Sequence, residues 1–115
     1  MGVVKRADPD AKESNQNMPV LTTREINLRL TTIPDWTKRG KTILRIFIFD
    51  GFLQSIEFVN CVAKKAQKAN HHPDIDIRFN KVTLKLSTHD EGGITEKDFS
   101  LARQCDEVLA KVRTA

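Results

Sequence analysis

The chain has 115 residues, of which 39% are hydrophobic and 30% are charged, and its formal net charge at pH 7 is +4. This length predicts one domain, just large enough to bury a core without a metal ion or disulfide bonds. No apolar run approaches the roughly 20 residues needed to span a bilayer, and no signal-peptide pattern opens the chain, so we expect a cytoplasmic protein. The basic residues are spread over every segment with acidic residues between them, which indicates a solvated surface and makes nucleic acid an unexpected partner.

The first segment differs from the rest of the chain. Residues 1–18 are polar and lack periodicity, which predicts a flexible tail before a single domain at 19–115. Thr22 and Glu25 then have the spacing of a capping box, with Leu21 and Ile26 placed as a hydrophobic staple. This pattern predicts a short helix that starts at Thr22 or Thr23 and ends at about Leu30.

A hairpin and a long helix are predicted next. A turn at Arg39–Gly40 precedes a run rich in β-branched and aromatic residues, 42–49 (TILRIFIF), which is typical of a strand. Asp50 is placed to cap the following helix, which should reach about Ala69. The apolar positions at helical spacing predict its buried stripe: Phe52, Ile56, Val59, Ala63 and Ala66.

A second hairpin is indicated by two runs in which apolar and polar residues alternate. The apolar residues are Ile75, Ile77 and Phe79 in the first run and Val82, Leu84 and Leu86 in the second. A turn at Asn80–Lys81 would join the two strands, with one face buried and with Lys, Arg, Thr and Ser on the other. Phe79 is thereby predicted to contribute to the core.

The last element is a helix. Gly92–Gly93 predicts a loop, and Thr95 and Asp98 have the spacing of another capping box. Cys61 and Cys105 lie on or beside apolar helical stripes, so we expect small buried hydrophobes rather than a disulfide or a nucleophile. The order of elements, α-β-β-α-β-β-α, predicts an α+β fold: a four-stranded antiparallel sheet with helices packed on one face.

The three histidines of the chain fall between positions 71 and 89. Imidazole is the side chain whose ordinary pKa lies near neutrality, so clustered histidines suggest proton transfer. Pro73 restricts His72 to an extended conformation, and therefore His71 and His72 should point in roughly opposite directions. A metal site is the rival interpretation, but no two histidines have the i, i+4 spacing of a helical metal site, and we expect no metal.

The segment from His71 to Asp98 resembles the pterin-4a-carbinolamine dehydratases, also called the dimerisation cofactor family. The signature of that family is His-His-Pro, an aromatic residue, a further histidine, and an aspartate after a Gly-containing loop. In this chain those places are filled by His71, His72, Pro73, Phe79, His89 and Asp98. The resemblance covers roughly residues 20–112 and implies the compact α+β fold of the family.

The resemblance implies a hydro-lyase, a 4a-hydroxytetrahydrobiopterin dehydratase, that removes water from a 4a-hydroxytetrahydropterin and gives the quinonoid dihydropterin. Such a reaction needs an acid and a base but no cofactor. We assign the acid and base to His71 and His89, with His72 in the catalytic site to hold the pterin or shape the pocket. The remaining pterin contacts that the resemblance implies are Gln67, Pro73, Phe79, Thr88 and Asp98, of which Asp98 could also orient an imidazole or serve only its own helix. Gln67 departs from the family, which usually has an acidic residue there.

The alternative function is a non-catalytic interaction module. Family members are homo-oligomers, and some are dimerisation partners of a transcription factor, so the resemblance implies a homodimer or a homotetramer. A catalytic site would bring His71, His72 and His89 to one cleft that is open to solvent, whereas an interaction module would not need that arrangement. The residues do not determine which pterin is the physiological substrate.

Overall fold

The computed structural model describes residues 19–114. In chain order it contains helix α1 (Thr23–Leu30), strands β1 (Thr37–Arg39) and β2 (Thr42–Ile48), helix α2 (Phe52–Ala69), strands β3 (Asp74–Arg78) and β4 (Lys81–Leu86), and helix α3 (Glu96–Thr114). A 3₁₀ turn, His89–Glu91, separates β4 from α3. The predicted α+β fold and its order of elements are confirmed, while the predicted tail at 1–18 lies outside the described residues.

The four strands form one antiparallel sheet with the order β1-β2-β4-β3. In its register Ile43 lies opposite Leu86 and Phe47 lies opposite Val82, and all four side chains are buried. They join one hydrophobic cluster with residues from the three helices, among them Phe58 of α2. The helices therefore cover one face of the sheet, and none of them has the length and apolar content that crossing a bilayer requires.

The opposite face of the sheet is only partly polar. Thr83 and Lys85 of β4 alternate with buried neighbours and point away from the core, as predicted. Strand β2 also turns Ile46 and Ile48 to this face, where they are 54% and 52% exposed. The outer face therefore combines charged residues with an exposed apolar strip.

Helix α2 buries a face that only partly overlaps the predicted one, since Ala66 is buried and Val59 packs partly buried against the core, as predicted. Phe52 is 50% exposed and Ala63 is exposed, whereas the buried residues are Ser55, Phe58, Val62 and Ala66. Both sets fit the helical period, so spacing alone could not choose between them. The choice follows from aromatic packing, because the Phe58 ring lies 4.6 Å from that of Phe47 and 5.1 Å from that of Phe49. The predicted cap was also wrong, since the N-cap of α2 is Gly51 and not Asp50.

The second hairpin turns one residue earlier than predicted. Its turn residues are Phe79 and Asn80, and Phe79 has the left-handed φ of 54°. The Phe79 side chain is 65% exposed, so its predicted place in the core was wrong. Asn80 explains the shift, because its carbonyl accepts the Phe49 N–H at 2.9 Å and its side-chain amide donates to the Phe49 carbonyl at 3.1 Å. These bonds tie the turn to the end of β2.

Two local predictions hold in detail. At the start of α1, the Glu25 N–H donates to Thr22 Oγ1 at 3.1 Å and the Thr22 N–H donates to Glu25 Oε1 at 2.9 Å, which is a complete capping box. In α3, Cys105 is buried and unpaired, and burial raises the pKa of its thiol to about 12, with Asp106 adding to the shift. Cys61 is half-buried and also unpaired.

Candidate active site

The site begins where α2 ends. Asn70 adopts the left-handed conformation, with φ 52° and ψ 42°, and its N–H donates to the Gln67 carbonyl. The His71 N–H then donates to the Ala66 carbonyl at 3.1 Å, so the chain reverses within two residues. Asparagine tolerates this conformation better than most residues with a Cβ. The reversal turns His71 back towards the start of α3, and an asparagine at the end of a helix is the signal that could have predicted it.

His71 is held by a buried carboxylate. Its Nε2 lies 2.6 Å from Asp98 Oδ1, and the two side chains are 12% and 0% exposed. Because a carboxylate only accepts, the proton of this hydrogen bond is on Nε2. Nδ1 has no hydrogen-bond partner among residues 19–114. Neutral His71 therefore keeps an unprotonated Nδ1, which is the form that a general base requires.

Two threonines complete the surroundings of Asp98. Its second oxygen, Oδ2, accepts the Thr88 hydroxyl and the Thr95 backbone N–H, each at 2.9 Å. Since the Thr88 proton is used in this bond, the Thr95 hydroxyl donates to Thr88 Oγ1, 2.8 Å away. Every polar side-chain atom of Thr88, Thr95 and Asp98 thus has a hydrogen-bond partner. One half of the predicted capping box at Thr95 and Asp98 is present, since Asp98 Oδ2 accepts the Thr95 N–H, whereas Thr95 Oγ1 accepts the Lys97 N–H at 3.2 Å. The same carboxylate also orients His71.

His72 has a different hydrogen-bond partner from His71. Its Nε2 lies 3.0 Å from Gln67 Oε1, and both side chains are on the exposed surface at the end of α2. Pro73 is half-buried and leads directly into β3. Gln67 therefore acts on His72 and not on His71.

The three histidines meet at one open cleft of about 300 Å³. His89 enters it from the 3₁₀ turn after β4, and its ring makes no hydrogen bond with any residue in 19–114. The cleft is lined by Asn70, His71, His72, Ser87, Thr88, His89, Asp90 and Lys97. This volume is at the lower end of the range for small-molecule sites.

Four of the predicted site residues are not among the residues that line this cleft: Gln67, Pro73, Phe79 and Asp98. Phe79 lies at the far end of β3, and a five-residue strand puts it roughly 17 Å from the start of that strand. Thr88 lines the cleft, but its hydroxyl is engaged by Asp98 and Thr95. Sequence reasoning missed Lys97, which lies in the first turn of α3 and makes no ion pair with any described residue. A lysine in a charged first turn carries no pattern that would have singled it out.

The arrangement suits proton transfer. Within residues 19–114 no group of three or more His, Cys, Asp or Glu side chains could hold a metal ion. Both oxygens of Asp98 are engaged inside the protein, so this carboxylate acts through His71. The groups that the cleft offers to a bound molecule are the His71 and His89 imidazoles, with His72 beside them.

Comparison with known proteins identifies the family of this chain. Residues 19–108 match the sequence model of a family described as pterin 4 alpha carbinolamine dehydratase. A protein of Chloroflexus aurantiacus is 50% identical over 92 residues, which are 80% of this chain and 99% of that protein. A protein of Picosynechococcus sp. is 48% identical over 88 residues, 76% of this chain and 96% of the relative. Both are provisionally named pterin-4-alpha-carbinolamine dehydratases.

Solved structures extend the likeness to three dimensions. A transcriptional coactivator/pterin dehydratase from Brucella melitensis has a TM-score of 0.75 and 34% sequence identity, with 77% of this chain and 97% of that one covered. A pterin dehydratase-like protein described as a RuBisCO assembly factor of the alpha-carboxysome shares the fold, with a TM-score of 0.56, 22% identity, and 64% of this chain and 88% of that one covered. On the match that spans residues 19–108, the chain belongs to the pterin-4a-carbinolamine dehydratase family.

Proposed function

We propose that this protein eliminates water from a 4a-hydroxytetrahydropterin and releases the quinonoid dihydropterin, as in the recycling of tetrahydrobiopterin in the cytoplasm. The observation that carries the proposal is the convergence of His71, His72 and His89 on one open cleft. In this reaction the C4a–O bond breaks and its electron pair leaves with the oxygen, which takes up a proton. The N5–H electron pair forms the N5=C4a double bond, and its proton goes to a base. One acid and one base are therefore sufficient.

His71 is the better candidate for the base. Asp98 holds its Nε2–H at 2.6 Å, so Nδ1 is the nitrogen left to accept a proton. The buried carboxylate also stabilises the imidazolium that forms when Nδ1 takes the N5 proton. General base catalysis of this kind contributes roughly 10²–10⁴-fold.

His89 is assigned as the acid. It lies in the same cleft, and its ring is free of hydrogen bonds within residues 19–114, so it can approach the departing hydroxyl. His72 is assigned to substrate binding, because Gln67 Oε1 accepts its Nε2–H at 3.0 Å and limits its rotation. The neutral Gln67 supports His72 by a hydrogen bond but cannot exchange a proton at neutral pH.

The test is dehydration of a freshly generated 4a-hydroxytetrahydropterin, followed by ultraviolet absorbance. Wild type should accelerate the reaction, and His71→Ala and His89→Ala should each lose roughly 10²-fold or more in kcat. His72→Ala should mainly raise KM, and Gln67→Glu should remain active because a carboxylate can still accept from His72. Circular dichroism and thermal unfolding would verify that each variant is folded. No acceleration by folded wild type would refute the proposal.

A second candidate function is assembly with other protein chains. The exposed Ile46 and Ile48 strip on the outer face of the sheet is a surface on which another protein chain could pack. The Brucella melitensis relative is described as a coactivator as well as a dehydratase. Homodimer or homotetramer formation is therefore proposed alongside catalysis, and an inactive but oligomeric wild type would favour an interaction module.

A further inference from the structure

Lys97 lies beside His71, at the boundary between two clefts. It belongs to the first turn of α3 and is half-buried. It lines the cleft of the three histidines, and it also lines a second cleft of about 310 Å³ between the end of α2 and the first turns of α3. His71 is the other residue that lines both clefts. The Lys97 N–H donates to Thr95 Oγ1 at 3.2 Å, which fixes the backbone at this position.

The carboxylates near Lys97 are engaged elsewhere or too distant to pair with it. Glu96 is held by two arginine side chains, at 2.7 Å and 2.8 Å. Asp98 uses one oxygen for His71 and the other for two donors of its own cluster. Asp90 lines the cleft of the three histidines but forms no ion pair with Lys97. Within residues 19–114, therefore, no carboxylate neutralises the Lys97 ammonium group.

The Lys97 side chain also makes no hydrogen bond to any residue in 19–114. An ammonium group has three donors and no acceptor, and its partial burial is favourable only where acceptors replace the lost water. The protein supplies no such acceptor. A molecule bound beside His71 with an oxygen atom directed at Lys97 would supply one.

We propose that Lys97 is a further catalytic residue, whose ammonium group donates a hydrogen bond to the C4 carbonyl oxygen of the pterin ring. The proposal rests on the proposed dehydratase function, in which His71 Nδ1 accepts the N5 proton. Because C4a joins N5 to C4, N5 and the C4 carbonyl oxygen lie on the same edge of the ring. A group beside His71 therefore faces this oxygen or C6, on the other side of N5. C6 is a saturated carbon that accepts no hydrogen bond, whereas the carbonyl oxygen does.

This hydrogen bond has two effects on the reaction. It holds the ring with the N5–H bond directed at His71 Nδ1. The positive charge of Lys97 also stabilises the negative charge that develops at this edge of the ring as the N5 proton leaves. Asp98 compensates the imidazolium that forms on His71, so the two cations can lie side by side.

Two variants test the role of Lys97 in the dehydration assay. Lys97→Met keeps the length of the side chain but removes its charge and donors, and it should lower kcat roughly 10²-fold, the lower end of the range for one such donor, because Lys97 is only half-buried. Lys97→Arg keeps a cationic donor and should stay within about tenfold of wild type. Since the side chain has no partner in the protein, both variants should unfold at the same temperature as wild type.

A pair of competitive inhibitors tests the contact itself. In 6-methyl-7,8-dihydropterin C4 carries the carbonyl oxygen, whereas in 2,4-diamino-6-methyl-7,8-dihydropteridine it carries an amino group that cannot accept from an ammonium group in the same way. Wild type should prefer the carbonyl compound. In Lys97→Met the ratio of the two inhibition constants should fall about tenfold, because the group that distinguishes them is gone.

The matched control is Lys65→Met. Lys65 of α2 is also half-buried, but it lines neither cleft. Its variant should keep both kcat and the ratio of inhibition constants. If Lys97→Met keeps kcat within about threefold, or lowers kcat while that ratio stays as in wild type, the contact is refuted and the dehydratase stands. A folded wild type that does not accelerate dehydration would overturn the dehydratase function and the role of Lys97 together.

Discussion

The two oxygens of Asp98 have different partners, and the substitution Asp98→Asn separates their effects. Oδ2 accepts from the Thr88 hydroxyl and the Thr95 N–H, and an asparagine carbonyl in the same place can accept both bonds. The asparagine NH₂ then replaces Oδ1 at 2.6 Å from His71 Nε2. An NH₂ group donates, so Nε2 must become the acceptor and the imidazole proton moves to Nδ1. The nitrogen offered to the substrate changes from an acceptor into a donor.

The size of the effect follows from this exchange. Loss of the general base should lower kcat by roughly 10²–10⁴-fold. KM should change little, because Asp98 is 0% exposed and cannot touch a substrate. Replacing charge-assisted hydrogen bonds by neutral ones should cost about 1–3 kcal/mol in the free energy of unfolding. The assay is the absorbance-monitored dehydration together with urea unfolding of the same preparations.

The control for lost stability is Asp106→Asn. Asp106 also accepts two hydrogen bonds, from Trp36 Nε1 at 2.9 Å and from an Arg45 nitrogen at 2.7 Å, but it does not line the cleft of the three histidines. Its variant should lose stability and keep kcat within about twofold. The reasoning is wrong if folded Asp98→Asn keeps kcat within about threefold of wild type, since Asp98 would then serve only its own helix.

Two further predictions concern stability and reactivity. The pKa of Glu96 is lower in the folded protein than its ordinary value of 4.5, so its contribution to stability is present at neutral pH and is lost as the pH falls through the folded pKa. Glu96→Gln should therefore be less stable than wild type by at most about 1 kcal/mol at pH 7. If the difference in the free energy of unfolding between the two proteins does not narrow as the pH is lowered below 4.5, this prediction is contradicted. With a pKa of about 12 for Cys105, a thiol reagent at about pH 8 should modify Cys61 alone in the native protein and both cysteines after denaturation. Rapid modification of both thiols in the folded protein would count against the burial of Cys105.

Signals within a few residues of sequence predicted much of this protein correctly. The capping box at Thr22 forms in full, and at Thr95 the half in which the Asp98 carboxylate accepts the Thr95 N–H forms, because each depends on a side chain three positions from its partner. The alternation in β4 correctly identified its buried face, since side chains of a strand point to alternate sides whatever the strand packs against. The His-His-Pro segment and its family resemblance identified the three histidines that meet in the cleft.

The tertiary structure decided the features that depend on what each element packs against. Two faces of α2 had helical apolar spacing, and the contact of Phe58 with Phe47 and Phe49 selected one of them. Phe79 left the predicted core because Asn80 bonds to Phe49 across the sheet and moves the turn by one residue. No spacing rule relates these partners, since they are distant along the chain.

The same distinction holds within the site. The residue types that can transfer a proton were evident from the sequence, but the pairing of His71 with Asp98 joins residues 27 positions apart. That pairing selects the imidazole nitrogen that is bonded to Asp98, and it exists because the left-handed Asn70 reverses the chain towards α3. A cleft between Ala69 at the end of α2 and Ser100 of α3 likewise forms only when these two helices pack beside each other. Sequence alone determined which groups can move a proton, and packing between distant segments determined where that proton is held.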